Sequence, residues 1–177
     1  LEEGIKALQK FQLPPGRMSL IPGKNGSTLI DSSYNASPET VKQALELLEN
    51  FPGKKKIAVL GNMNELGDYT KDAHREVAKN IGPWLDQLVT VGDFAKIIAE
   101  ECLKNGFPKT RIKILKTARE AGEFLRNVVA LERGDTILLK GSQNLVRLER
   151  AVEMLMMHPE DAKKLLCRQE KEWTSIE

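Results

Sequence analysis

Four short runs of apolar residues, each followed by a longer amphipathic segment, set the strongest constraint on the fold of this chain. The runs are KKIAVLG, DQLVTVG, IKILK and DTILLKG. They are continuous rather than alternating, which is typical of strands that are buried on both faces. The amphipathic segments lie near residues 71–81, 93–105, 117–130 and 146–157, and each is long enough to connect parallel strands. This repeated order predicts a parallel sheet with helices on both sides.

The residues before these runs predict a hairpin and a capped helix. Asn25-Gly26 joins two further apolar runs, and this dipeptide is typical of tight hairpins, so the first two strands are expected to be antiparallel. Ser37 and Pro38 are typical first residues of a helix, whose predicted apolar stripe is Val41, Ala44, Leu45 and Leu48. The fold class predicted is α/β, a Rossmann-like three-layer sandwich of about six strands, mostly parallel with an antiparallel N-terminal hairpin strand.

The two ends of the chain differ from this core pattern. Residues 1–12 have one apolar helical face and are followed by Pro14, Pro15 and Gly16, which predicts a linker helix. Residues 158–177 offer a helix that begins at a proline and places Ala162, Leu165, Leu166 and Trp173 roughly on one side. We therefore expect a linker helix over residues 1–12, a domain over residues 13–157 and a helical tail over residues 158–177.

Charge and cysteine usage exclude several classes of function. The 27 basic and 25 acidic residues are interspersed and leave a net charge of +2, so no concentrated positive field is available for nucleic acid. Cys102 and Cys167 show no metal-binding or redox spacing, and two buried thiols in a cytoplasmic protein are expected. No apolar stretch is long enough to cross a bilayer and no signal-peptide pattern occurs, so no membrane partner is expected.

Small and polar residues follow several of the predicted strands, in the segments IDSSYNAS, LGNMNELGD, VGD and LKGSQN. The carboxyl ends of parallel strands form the edge where ligands bind in such sheets. The sequence lacks a phosphate-binding G-x-x-x-x-G-K-[ST] loop, a G-x-G-x-x-G dinucleotide motif, an H-E-x-x-H motif and a cysteine cluster, so no metal site is predicted. The residues alone therefore predict a ligand-binding α/β domain that is part of something larger.

Four blocks of the sequence resemble the C-terminal domain of the Mur ligases. These are GRM at 16–18, LIDSSYNASPETVKQAL at 29–45, IAVLGNMNELG at 57–67 with His74 following, and GDTILLKGSQNLVRLERAV at 134–152. The resemblance implies an ATP-dependent amide ligase of peptidoglycan precursor synthesis, built from three domains. It implies that ATP and Mg2+ are held mainly by a central domain, and that this chain alone, without the N-terminal and central domains, does not turn over.

The implied reaction has two steps. The terminal carboxylate of a UDP-muramoyl-tripeptide is phosphorylated, and the amine of D-alanyl-D-alanine then attacks the acyl phosphate. In the family, the C-terminal domain closes over ATP and brings the amino substrate. Its contribution would be positioning, charge stabilisation and exclusion of water from the intermediate.

Two groups of binding residues carry over from the matched motifs, and no catalytic residue is assigned within the chain. The ATP-binding group is Arg17, Asp31, Ser32, Tyr34 and Asn35, and the substrate-binding group is Lys140, Gly141, Ser142, Asn62 and His74. Several have a plainer alternative, since a surface arginine (Arg17), a loop packed by its own tyrosine (Tyr34 and Asn35), a turn asparagine (Asn62), a structural histidine (His74) and a lysine at a strand end (Lys140) are all common.

Three departures from the family pattern keep other functions open. Ser32 stands where the family has a second Asp, Asn62 where it usually has Asp, and Gln143 where it usually has Arg. Each departure removes a charge. This would also suit a related ligase of altered amino-substrate specificity, a non-catalytic binding module that kept the fold, or a free-standing nucleotide-binding domain. A phosphate-binding loop encoded upstream of Leu1 would favour the ligase.

Overall fold

A six-stranded sheet forms the centre of the computed structural model, which describes residues 13–174. The strands are β1 (Ser19–Pro22), β2 (Thr28–Ser32), β3 (Lys56–Gly61), β4 (Gln87–Val91), β5 (Ile112–Leu115) and β6 (Thr136–Lys140). Their order across the sheet is β1-β2-β6-β3-β4-β5, and only the β1–β2 pair is antiparallel. The predicted fold class is confirmed. The predicted linker helix, residues 1–12, lies outside the described residues.

Helices cover both faces of the sheet. They are α1 (Pro38–Asn50), α2 (Thr70–Ala78), α3 (Lys96–Lys104), α4 (Ala118–Phe124), which continues into a π-helical turn (Leu125–Val129), and α5 (Glu149–Leu155). Buried residues of α1, α2 and α3 share one apolar cluster with Ile30 and Leu138, whereas those of α4 and α5 share the other with Leu29 and Ile137. Because successive strand residues point to opposite faces, each central strand supplies both clusters.

Local sequence signals explain the hairpin and the first helix. Asn25 and Gly26 have φ values of 57° and 77°, the left-handed conformation that this dipeptide adopts most readily. At α1, the Ser37 side chain accepts a hydrogen bond from the backbone N–H of Thr40. The buried residues of α1 are the four of the predicted stripe. Both predictions are confirmed.

Two parts of the structure differ from the sequence patterns. Strand β5 lies at the edge of the sheet, and Lys113 and Ile114 are exposed, so the prediction of burial on both faces is wrong for this strand. The tail is not one helix. It forms a turn (Pro159–Asp161) and two short helices, α6 (Ala162–Leu165) and α7 (Lys171–Thr174), and Arg168 between them has a left-handed φ of 57°.

The tail nonetheless belongs to the packed body of the protein. Ala162 and Leu166 lie in the same apolar cluster as α4 and α5. Within residues 13–174, no helix has both the length and the apolar character needed to cross a membrane.

Candidate functional site

A cleft of about 440 Å³ opens at the carboxyl edge of the sheet, between the segment before β1, the loop after β2 and helix α1. Five residues predicted from the sequence line it: Arg17, Ser32, Tyr34, Asn35 and Lys140. Sequence reasoning missed its other wall, which Met18, Thr40, Gln43, Ala44 and Leu47 form. The last four of these recur at helical spacing on α1, and this spacing was the available signal.

Lys140 supplies a buried positive charge at the base of the cleft. It is 3% exposed, and its ammonium donates to the Asn35 carbonyl oxygen at 2.8 Å and to Ser32 Oγ at 3.3 Å. Burial, and secondly the charge of Arg17, lower the pKa of Lys140 to about 8. Within residues 13–174 no carboxylate lies within 4.0 Å of this ammonium. An anion in the cleft would therefore supply its missing countercharge.

Arg17 brings a second cation to the cleft. Its guanidinium carbon lies 4.3 Å from the centroid of the Tyr34 ring, within the range of a cation–π contact. The adjacent Gly16 has φ of +73°, and an added Cβ would lie 3.1 Å from the Tyr34 nitrogen. The Tyr34 N–H donates to the Gly16 carbonyl oxygen at 3.1 Å. Glycine is required here because no side chain fits between these two segments.

Ser142 joins three of the loops at this edge. Its N–H donates to the Asn62 carbonyl oxygen at 2.8 Å, and its Oγ accepts from the Asn64 N–H at 3.0 Å. The single hydroxyl hydrogen faces the Ala36 carbonyl oxygen at 3.1 Å and Asn35 Oδ1 at 3.3 Å. At 3% exposure, Ser142 stabilises the loops after β2, β3 and β6 in one arrangement.

Gly141 allows two strand ends to approach closely. A Cβ at Gly141 would lie 3.2 Å from the Cα of Gly61 and 3.1 Å from a Leu148 methyl group. The structure thus gives Gly141 a packing role beside the cleft, and its contact with a substrate stays a prediction.

Asn62 stabilises the loop that leads into α3. Its Oδ1 accepts hydrogen bonds from the N–H groups of Phe94 and Ala95, at 3.0 and 2.9 Å, and the residue is 5% exposed. Backbone N–H groups at the start of a helix have no acceptor within the helix, and a side-chain oxygen commonly accepts their hydrogen bonds. Asn62 does not line the cleft.

Replacing Asn62 by alanine is expected to lower the free energy of unfolding by about 1–2 kcal/mol, the usual value of a helix cap. The phosphate binding that the resemblance implies for the cleft should not change, because Asn62 does not line the cleft. Urea denaturation and a pyrophosphate titration would measure the two effects, with exposed Asn127→Ala as the control. Unchanged stability together with weaker binding would instead favour a direct ligand contact.

His74 is held by the backbone on both sides of its ring. Nε2 accepts from the Met63 N–H at 3.1 Å and Nδ1 lies 2.7 Å from the Thr70 carbonyl oxygen, so the hydrogen is assigned to Nδ1 from this network. The residue is fully buried, and burial lowers the pKa of His74 below its ordinary value. The imidazole therefore fixes the loop after β3, and the structure does not bring it to the cleft.

Asp31 points away from the cleft. Asp31 and Ser32 are successive residues of β2, so their side chains point to opposite faces of the sheet. Asp31 faces α5, whereas Ser32 faces α1 and the cleft. Its Oδ1 accepts from the Ser33 N–H at 3.0 Å, and Oδ2 has no hydrogen-bond partner among the described residues. Burial raises the pKa of Asp31 to about 6, and the negative charge of Glu149 adds to this. The structure thus separates Asp31 from the other four predicted ATP-binding residues.

Replacing Asp31 by asparagine is expected to raise the free energy of unfolding at pH 7 by about 3 kcal/mol, since the buried charge is removed. The pKa is raised from 3.8 to about 6 on folding, so the protonated form stabilises the fold below pH 3.8 and this contribution is lost as the pH passes 6. The gain should therefore shrink as the pH falls from 6 towards 4. Urea denaturation at several pH values checks this, and a gain that is independent of pH would contradict it.

Comparison with known proteins decides the family. A model of the domain described as "Mur ligase, glutamate ligase domain" matches residues 16–143, most of the chain. The chain belongs to the Mur ligase family. All five cleft residues predicted from the sequence lie within the matched range of this Mur ligase domain.

Relatives whose names state an activity support the same assignment. A UDP-N-acetylmuramoyl-tripeptide–D-alanyl-D-alanine ligase of Bacillus subtilis is 34% identical over 160 residues, which cover 89% of this chain and 34% of that protein. MurF of Acinetobacter baumannii has a TM-score of 0.70 at 31% identity, covering 86% of this chain and 32% of that one. The MurF ligase of Thermotoga maritima, solved with ADP, has a TM-score of 0.69 at 29% identity, covering 90% and 34%.

The Mur ligase domain spans about a third of the length of the curated relatives that it matches. Within residues 13–174, no group of three or more His, Cys, Asp or Glu side chains is arranged to hold a metal ion.

Proposed function

We propose that this chain is the C-terminal domain of a cytoplasmic ligase that adds D-alanyl-D-alanine to UDP-N-acetylmuramoyl-tripeptide in peptidoglycan precursor synthesis, and that its cleft contacts the phosphates of ATP. The observation that carries the proposal is the pair of cations, Lys140 and Arg17, in one cleft at the carboxyl edge of a parallel sheet. The B. subtilis relative is named for this reaction, and the T. maritima relative was solved with ADP.

The residues of the cleft fit a phosphate group. Lys140 offers a desolvated ammonium and Arg17 a planar guanidinium, the two side chains that bind phosphate oxygens best. ATP, when bound, supplies the phosphoryl group for the acyl phosphate, and Mg2+ would be held by carboxylates outside the described part of this chain. The contribution of Lys140 and Arg17 is to hold and neutralise phosphate charge.

The apolar wall of the cleft fits the remainder of a nucleotide. Met18, Ala44 and Leu47 line the cleft opposite the polar loops, and Leu47 is 41% exposed. Such a wall favours contact with a flat, weakly polar group and removes water from the phosphate side when the cleft closes. Ser142, which ties the three loops together, keeps the cations in place before the ligand arrives.

The complete polypeptide provides the test. The protein encoded by the whole reading frame, supplied with ATP, Mg2+ and UDP-muramoyl-tripeptide, should release inorganic phosphate only when D-alanyl-D-alanine is added, while the 177-residue chain alone should release none. Single amino acids and other dipeptides serve as matched controls. Release with another amine would show altered specificity. Absence of any amine-dependent release would contradict the proposal and favour a binding module.

A further inference from the structure

The tail of the chain lies directly behind the loop that carries Tyr34. The side chain of Arg168 is 4% exposed, and its Nη2 donates to the Tyr34 carbonyl oxygen at 2.6 Å. Its Nη1 reaches the Ser33 carbonyl oxygen at 3.3 Å. An arginine from the tail thus binds two successive backbone carbonyls of the loop after β2.

Glu149 connects Arg168 to the other side of the cleft. Its Oε2 lies 3.1 Å from Arg168 Nη1 and its Oε1 lies 2.9 Å from Arg147 Nε, at 1% exposure. Glu149 is the first residue of α5, the helix that follows β6 and its terminal Lys140. The buried carboxylate therefore joins the tail to the same segment that presents the ammonium of the cleft.

Tyr34 is fixed from two directions by these contacts. Its N–H donates to the Gly16 carbonyl oxygen at 3.1 Å, and its carbonyl oxygen accepts from Arg168. The peptide unit of Tyr34 is held in this way, and the Tyr34 ring stacks with Arg17, whose guanidinium carbon lies 4.3 Å from the ring centroid. Arg168, which does not line the cleft, thus contacts the peptide unit of the tyrosine on which Arg17 stacks.

We propose that Arg168, held by Glu149, is a positioning residue that orients Tyr34 and Arg17 for phosphate binding. The inference rests on the proposed phosphate cleft and adds to it a part of the chain that lies outside the matched residues 16–143. A lysine at position 168 cannot replace the arginine, because one ammonium cannot bind two carbonyls and a carboxylate with the geometry of the planar fork.

The test is a titration of inorganic pyrophosphate into the isotope-labelled 177-residue chain, at constant ionic strength and pH 7, followed by amide chemical shifts. Arg168→Lys keeps the charge beside Glu149, and we expect it to fold and to bind pyrophosphate about tenfold more weakly, as for one lost charge-assisted hydrogen bond. Arg168→Met should lose at least as much. Lys164→Met, which removes an exposed positive charge from the same tail, should bind as the parent does.

A double-mutant cycle separates positioning from general loosening of the fold. In a Tyr34→Ala background, Arg168→Lys should cause no further loss of affinity, because the ring through which it acts is gone. Additive losses would overturn the inference, as would parent-like binding by Arg168→Lys and Arg168→Met. If pyrophosphate does not change the amide chemical shifts of the cleft residues in the unmodified chain, both the proposed phosphate cleft and this inference are contradicted.

Discussion

Replacing Glu149 by glutamine is expected to lower the free energy of unfolding by about 3–5 kcal/mol, the usual cost of removing one partner from a buried ion pair. Glu149 is 1% exposed and lies within ion-pair distance of Arg147 and Arg168, which are themselves buried. Glutamine has nearly the same shape but no charge. The guanidinium of Arg168, which is 4% exposed, would then remain in the interior without the carboxylate that now faces it.

The helix of Glu149 offers a matched control. Glu153 lies one turn later in α5 and is exposed, so Glu153→Gln should change the free energy of unfolding by no more than about 0.5 kcal/mol. Urea denaturation of the three proteins at pH 7 measures both effects. A loss at Glu149→Gln no larger than that of Glu153→Gln would mean that the buried network does not stabilise the tail.

Replacing Lys140 by methionine is expected to weaken pyrophosphate binding more than tenfold, the equivalent of one lost charged contact. The same replacement is expected to stabilise the fold. The pKa of Lys140 is lowered from 10.5 to about 8, which corresponds to about 3 kcal/mol against the charged form. This penalty is fully present below pH 8 and disappears as the pH rises through 10.5. Loss of two hydrogen bonds, each about 1 kcal/mol, reduces the net gain to about 1 kcal/mol.

Opposite changes in stability and binding would mark Lys140 as a residue kept for its ligand. Lys42→Met is the control, since Lys42 is exposed on α1 and does not line the cleft. Thermal unfolding and the pyrophosphate titration are measured on the same samples. A Lys140→Met variant that binds pyrophosphate as well as Lys42→Met does would show that the anion is held elsewhere.

Much of the fold could be predicted because its signals are local. The cap at Ser37, the turn at Asn25-Gly26 and the continuous apolar runs each depend on a few neighbouring residues, and the structure contains all of them. The exposure of Ile114 could not be predicted in this way, because a strand's place at the edge depends on the order of the whole sheet. The shape of the tail likewise depends on a partner distant in sequence, since Arg168 is drawn inward by Glu149.

The candidate site shows the same division. The resemblance named Arg17, Tyr34 and Lys140 as binding residues, and the structure places all three in one cleft. Tyr34 and Lys140 lie at the ends of β2 and β6, and Arg17 precedes β1, whose first residue pairs with the end of β2. The orientation of Asp31 away from the cleft could have been predicted from strand alternation, since Asp31 lies on the same face of β2 as Leu29. A structural role for His74 was among the alternatives, but its partners could not be predicted, because they are backbone groups that only the folded loop brings together.

The position of a nucleotide's phosphates tests the central claim most directly. ADP titrated into the isotope-labelled chain at pH 7 should shift the amides of Arg17, Tyr34 and Gly141 most, with affinity near the millimolar range expected without a phosphate-binding loop. Between pH 7 and pH 9 the affinity should fall as Lys140, whose pKa is about 8, loses its proton. Largest shifts around Phe94 between α2 and α3, or an affinity that does not change with pH, would contradict the account.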